Sequence, residues 1–116
     1  MAVANLFDPV EQRALPLSRG GDLRFYVEDA RADPPPPFPL GTTGILEIEH
    51  GEEIIQFEAD YDNGRLYFLV ENEKTDSVPA TTKTNKVRWN LRIAFPDDPT
   101  TEIPVYEGPV YRGAYG

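Results

Sequence analysis

The residues of this chain that could do chemistry are carboxylates, one histidine and a set of tyrosines. Asp60, Asp62, Asn63 and Gly64 bring oxygen ligands and a glycine together, and Glu71 stands eleven residues after Asp60. That composition invites a calcium loop, which in its EF-hand form needs oxygens at positions 1, 3 and 5, glycine at position 6 and helices on both sides. Here glycine arrives one place early and the flanks alternate as strands, so the residues favour a plain hairpin turn. His50, the single histidine, stands beside Gly51 in an expected turn. With no cysteine and no GxSxG serine, it lacks a partner for a nucleophile–base pair. Glu47 with Glu49, and Glu52 with Glu53, are of the type used in glycoside hydrolysis. That reaction needs two carboxyls at a set separation across a sugar cleft, and among 20 acidic residues close spacing is expected by chance. The chain reads as a non-enzyme with no metal.

The tyrosines offer binding instead of catalysis. Tyr26, Tyr61, Tyr67, Tyr106, Tyr111 and Tyr115 could stack on sugar rings or anchor a protein interface, provided that they cluster in space. Tyr26 and Tyr67 fall on the outward positions of expected strands.

The elements that must position these groups are strands. Lys86 to Phe95 puts Val87, Trp89, Leu91, Ile93 and Phe95 on one face and Lys86, Arg88, Asn90, Arg92 and Ala94 on the other. Trp89, the single tryptophan, should sit at the centre of the core. Asp22–Glu28 alternates with Leu23, Phe25 and Val27 inward, and Thr43–Glu49 with Leu46 and Ile48 inward. Glu53–Asp60 places Ile55, Phe57 and Ala59 on one side. Asn63-Gly64 then signals a hairpin into Gly64–Glu71, where Leu66, Phe68 and Val70 point inward. Glu73–Thr84 reads as a polar connection. Glu102–Arg112 reads as the last strand, packing Ile103, Val105, Val110 and Tyr111, with a bulge or a change of sheet expected at Gly108-Pro109. The pattern predicts an all-β fold, a single antiparallel Ig-like β-sandwich of about six to seven strands with extended terminal segments. The expected division is an N-terminal arm over 1–18, the sandwich over 19–113 and a tail over 114–116.

Two segments break the alternation. Asp8-Pro9-Val10-Glu11 could start one helical turn, and the segment is either strapped down or an arm docking Leu6 and Phe7 on a neighbouring subunit. Pro34 to Pro37, with Pro39 behind, hold a polyproline II path, either a stiff surface loop or a PxxP ligand.

Composition narrows the partners. Eleven basic against 20 acidic residues give a net charge of −9, which repels nucleic acid and anionic membrane alike. The absence of cysteine excludes disulfides and thiolate zinc sites. No apolar run has the length of a membrane span, and the N-terminus does not read as a signal peptide.

Taken as a string, the chain resembles the small Ig-like β-sandwich domains of tailed-phage virions. The resemblance is to the N-terminal domain of baseplate upper proteins and to LtfC-like minor tail proteins of actinobacterial phages. It is carried by Arg19-Gly20-Gly21-Asp22-Leu23 at the first strand, the Asn63-Gly64 hairpin, the strand from Val87 to Ile93, and Tyr106-Glu107-Gly108-Pro109-Val110-Tyr111-Arg112-Gly113. The Pro34–Pro37 run departs from the short connection usual there. The resemblance implies a virion structural protein, most naturally a minor tail, baseplate or tail-fibre subunit assembled in the host cytoplasm, without catalysis or cofactor. A capsid decoration or head–tail connector protein and a glycan-contacting carbohydrate-binding module stand as alternatives. Other virion proteins would be its partners, in a symmetric homo- or hetero-oligomer. Apolar and aromatic groups on irregular ends make Leu6, Phe7, Val10, Tyr111 and Tyr115 interface candidates, with the cationic Arg88 and Arg92 ranked behind them.

Overall fold

Period-two alternation creates two sheets whose apolar faces need each other. The computed structural model describes residues 2–4, 11–17, 21–29 and 36–112. Its elements are β1 (Ala2–Ala4), β2 (Glu11–Gln12), β3 (Leu15–Leu17), β4 (Leu23–Asp29), β5 (Thr43–His50), β6 (Glu53–Glu58), β7 (Asp60–Asp62), β8 (Arg65–Val70), the one-turn helix α1 (Asn72–Thr75), β9 (Val87–Ala94) and β10 (Ile103–Arg112). The smaller sheet runs β1-β4-β8-β7. The larger runs β2-β10-β9-β5-β6, with β3 continuing β2 along β10. The all-β sandwich expected from the pattern is present, and its central pairings are antiparallel.

The tryptophan strand is central to the larger sheet, between β5 and β10. Val87, Trp89, Leu91 and Ile93 are buried, joined by Leu46, Ile48 and Phe57 of the same sheet and by Val27, Leu66, Phe68 and Val70 of the facing one. Phe95 lies just beyond the strand, half-buried, with its ring 6.3 Å from that of Phe38.

Four local differences from the sequence pattern have physical causes. The run Glu53–Asp60 is not one strand. It breaks at Ala59, whose amide donates to the Gly44 carbonyl, and the chain leaves β6 in one sheet to become β7 in the other. The hairpin at Asn63-Gly64 therefore joins β7 to β8, with both residues in the left-handed region (φ 54 and 81) that a type I′ turn requires. The β10 irregularity falls between Pro104 and Tyr106, not at Gly108-Pro109. Gly108 instead makes room for a crossing chain, since a Cβ there would collide with the Arg13 backbone. Tyr111, expected to pack, is 52% exposed because its position faces out of the sheet.

The fourth difference lies in segments that read as connections. The polar stretch after β8 contains α1 and buries Thr75 and Val78. Arg112 closes this end of the sandwich, donating to the carbonyls of Val78 (2.6 Å) and Thr75. Beside it the Thr81 amide donates to the Val110 carbonyl (2.8 Å). Phe38, within the proline-rich segment, is 1% exposed and belongs to the core.

The outer edges depart from the antiparallel scheme. β1 pairs with β4 in parallel, and β2 and β3 pair with β10 in parallel, so the N-terminal segment visits both sheets. Tyr106 pairs with Glu11 and Val110 with Leu15, the same register offset, which makes β2 and β3 one extended strand interrupted at Arg13 and Ala14. Leu15 and Leu17 are buried by this pairing.

Candidate interaction surfaces

The N-terminal strand is held from inside the core. The Trp89 indole N–H donates to the Arg13 carbonyl at 2.7 Å, and the Arg13 amide donates to the Glu107 carbonyl at 2.9 Å. The Arg13 guanidinium lies 5.2 Å from the centroid of Tyr106, whose ring is stacked against Trp89 at 6.0 Å. Burial pushes the Tyr106 phenol above its ordinary pKa of 10.0. Beside this contact a cleft of about 210 Å³ opens between the sheets, walled by Leu15, Pro16, Leu23, Phe25 and Trp89. Of the terminal candidates, Leu6, Phe7, Val10 and Tyr115 lie outside the described residues, as do the Asp8-Pro9 turn and Pro34-Pro35.

The outer face of the larger sheet carries Arg88 and Arg92, but in different circumstances. Arg92 forms ion pairs with Glu47 and, at 3.3 Å, with Glu102. Glu47 is only 8% exposed, so this arginine neutralises a nearly buried carboxylate of its own chain. Arg88 is exposed, stands opposite Glu49 on β5 and Pro109 on β10, and makes no ion pair among the described residues. Tyr111 comes two residues after Pro109 on the same face. The structure thus groups Arg88 with Tyr111 and takes Arg92 out of the row.

The outer face of the smaller sheet gathers the tyrosines on the register Tyr26↔Tyr67. Their ring centroids are 5.6 Å apart and tilted by 41°. The Arg65 guanidinium sits 4.6 Å from the Tyr26 centroid and 3.7 Å from Glu28. A hydrogen bond with Tyr67 raises its pKa above the ordinary guanidinium value, with the Glu28 charge adding to the effect. A shallow groove of about 340 Å³ runs along this face between Arg24, Tyr26, Tyr67, Leu69 and Asp60. An aromatic wall with a guanidinium and a carboxylate at its sides can hold a sugar ring or a planar side chain.

A third surface had no forewarning in the periodicity. Leu40 is 82% exposed at the tip of the segment leaving Phe38, and the exposed Pro39 and Pro96 flank it. Pro39, Phe95, Pro96 and Asp97 border a depression of about 410 Å³ there. The tip is tied down. Phe38 N donates to Gly64 O at 2.9 Å, the Tyr61 hydroxyl to the Phe38 carbonyl at 2.7 Å, and the Thr42 hydroxyl to the Pro39 carbonyl at 2.7 Å. The neighbouring turn is fastened by the Asp98 carboxylate, which accepts from the hydroxyls of Thr101 (2.6 Å) and Thr100 (3.1 Å). Those bonds, Thr101 first, lower the Asp98 pKa below its ordinary 3.8. The described part of the proline run, Pro36 and Pro37, leads into this tethered tip. The one sequence signal for it was a leucine between proline and glycine, where no strand or helix could bury it.

The carboxylates and the histidine are spread over separate elements. His50 ends β5 opposite Val87 and Glu53, and Glu52 stands in the turn after it. Asp60 and Asp62 bound β7. Among the described residues no group of three or more histidine, aspartate or glutamate side chains gathers as a cation site.

Among solved structures the fold is similar to the N-terminal domain of phage TP901-1 ORF48, at 12% identity and a TM-score of 0.49, covering 97% of this chain and 98% of that one. No curated protein matches the chain. The family model of the LtfC-like, beta-sandwich domain matches residues 9–113, which takes in every described strand but β1, and the chain belongs to that family.

Proposed function

We propose that this protein is a structural subunit of a tailed-phage virion, in the minor tail, baseplate or tail-fibre region, and that it works through protein–protein contacts without catalysis. The observation that carries this reading is membership of the LtfC-like family over residues 9–113, a family that the sequence resemblance sets among phage tail proteins. The surfaces agree with such work. An exposed apolar tip, an arginine–tyrosine corner and a tyrosine face are means of contact, and the acidic groups are dispersed over separate elements.

The test is mass spectrometry of gradient-purified virions, with heads and tails analysed separately. The protein should appear at fixed stoichiometry in the tail fraction. Recovery with heads would favour a decoration or connector role, and absence from particles would refute a virion role. Residues 11–17 are part of the sandwich, so removing 1–18 would damage the fold. Substitution of Leu6 and Phe7 by aspartate is the cleaner probe of an N-terminal docking arm.

A second reading has one observation in its favour: Tyr26 and Tyr67 do adjoin, beside Arg24 and Asp60. Glycan contact through that groove predicts retention on host polysaccharide that is lost in Tyr67→Ala while the fold persists. No retention of the wild type would remove the glycan reading.

A further inference from the structure

We propose that the Leu40 tip is a docking anchor for a different virion protein, one presenting an apolar socket rimmed by lysine and arginine. The proposal rests on the virion reading above and adds the surface and the chemistry of the partner. Leu40 is the most exposed large apolar side chain among the described residues, at 82%. Leaving it in water has no benefit to the fold, yet three hydrogen bonds to the carbonyls of Phe38, Gly64 and Pro39 hold the loop that presents it. The ring contact of Phe38 with Phe95 joins that loop to the second loop, whose Pro96 stands close against Gly41. A fixed apolar projection loses little conformational entropy on binding, which is the property of an interface anchor.

The charge around the tip selects the partner. Asp97 borders the depression, Asp98 fastens the adjoining turn, and Asp62 stands beside Asn63 and Gly64, on which Pro37 rests. Arg65, the cation nearest to Asp62 in register, is engaged with Glu28 and Tyr26. In a chain of net charge −9, a second copy brought to this tip would set acid against acid. A basic rim gives the opposite sign, with attraction that salt weakens.

The experiment mixes purified wild-type protein with tails isolated from phage lacking it, and measures binding at low and high salt. Leu40→Asp should weaken binding by at least about 30-fold, the loss of a hot-spot contact. Asp97→Lys should weaken it less and flatten its salt dependence. Ile54→Asp is the control, since Ile54 is 57% exposed on the outer face of β6, away from the tip. Circular dichroism and melting should show all three variants folded as wild type. Should Leu40→Asp misfold, Asp97→Lys decides alone by the same criteria. Wild-type binding with an unaffected Leu40→Asp overturns the tip and leaves the virion reading standing. Equal losses in Ile54→Asp and Leu40→Asp also overturn the tip. No binding of wild type to depleted tails ends the tail reading and the tip proposal together. A dimer in sedimentation that Leu40→Asp dissolves would make a second copy the occupant and overturn the partner assigned here.

Discussion

Two irregular segments of this sandwich are held in the same manner and put to opposite uses. At Arg13 a core tryptophan reaches out and donates to a backbone carbonyl at 2.7 Å; at Phe38 a half-buried tyrosine, Tyr61, does so at the same distance. In the first case the segment closes the edge of a sheet and buries Leu15 and Leu17. In the second it buries Phe38 and then lifts Leu40 into solvent. The difference lies in the residues just after the held carbonyl. After Arg13 an extended chain finds the open edge of β10, whereas after Phe38 the imide nitrogen of Pro39 cannot donate to a ladder and Gly41 turns the chain back at φ 97. A hydrogen-bonded loop is thus a closure or a projection according to the backbone freedom of its next few residues.

Substitutions can break this comparison from either side. The largest effect is expected from Trp89→Ala, which removes the indole from the core and orphans the Arg13 carbonyl. A loss of about 3–5 kcal/mol in denaturant unfolding is expected. Should Trp89→Ala lose less than about 1 kcal/mol, the net worth of one hydrogen bond, the tryptophan does not hold the N-terminal strand. Gly108→Ala comes next, at about 1–3 kcal/mol, because the added methyl meets the Arg13 backbone and not a side chain that can swing away. Hydrogen exchange should show the loss concentrated in residues 11–17, and uniform exchange would contradict a local effect. Tyr61→Phe should cost about 1 kcal/mol, with faster amide exchange at Phe38 and unchanged exchange at Arg13.

The smallest effect concerns acid. The Asp98 pKa is lower folded than unfolded, so its stabilising contribution is present above the ordinary value of 3.8 and is lost as pH falls through the folded value. Asp98→Asn should therefore narrow the gap in melting temperature between pH 7 and pH 3 relative to wild type. An unchanged gap would mean that the threonine hydroxyls do not stabilise the carboxylate.

Much of the sandwich was legible where one physical signal dominates. The Val87–Ile93 alternation pointed to a central strand with Trp89 buried, and Asn63-Gly64 to a left-handed hairpin, because each is decided by neighbours in sequence. The N-terminal edge was not legible in that way. Glu11-Gln12 and Leu15–Leu17 are too short to show a period, Pro16 argues against a strand, and their partner on β10 stands 95 positions away. The cationic row divides in the fold. Arg88 stays exposed, while Arg92 turned to Glu47 and Glu102, contacts that depend on cross-strand register and not on spacing. Tyr26 and Tyr67 were placed outward correctly, but that they adjoin results from the pairing of β4 with β8. Leu40 lay in a stretch read only for its prolines, where loop geometry, not periodicity, decides exposure.

The parallel pairing of β2 and β3 with β10 has a mechanical meaning. The segment β2–β3, early in the chain, and β10, the last described strand, lie side by side and point the same way. Tension applied between Glu11 and Arg112 therefore slides the two strands past one another. The hydrogen bonds between them resist together in shear, whereas an antiparallel pair pulled from adjacent ends opens one bond at a time. Trp89, bonded to Arg13 from beneath, adds a cross-pin to that shear plane. Stretched from these two points, the domain should rupture in one high-force event, weakened by Trp89→Phe; gradual opening at low force would contradict the shear geometry. A sandwich closed in this way resists pull along the line of these paired strands more than pull across them.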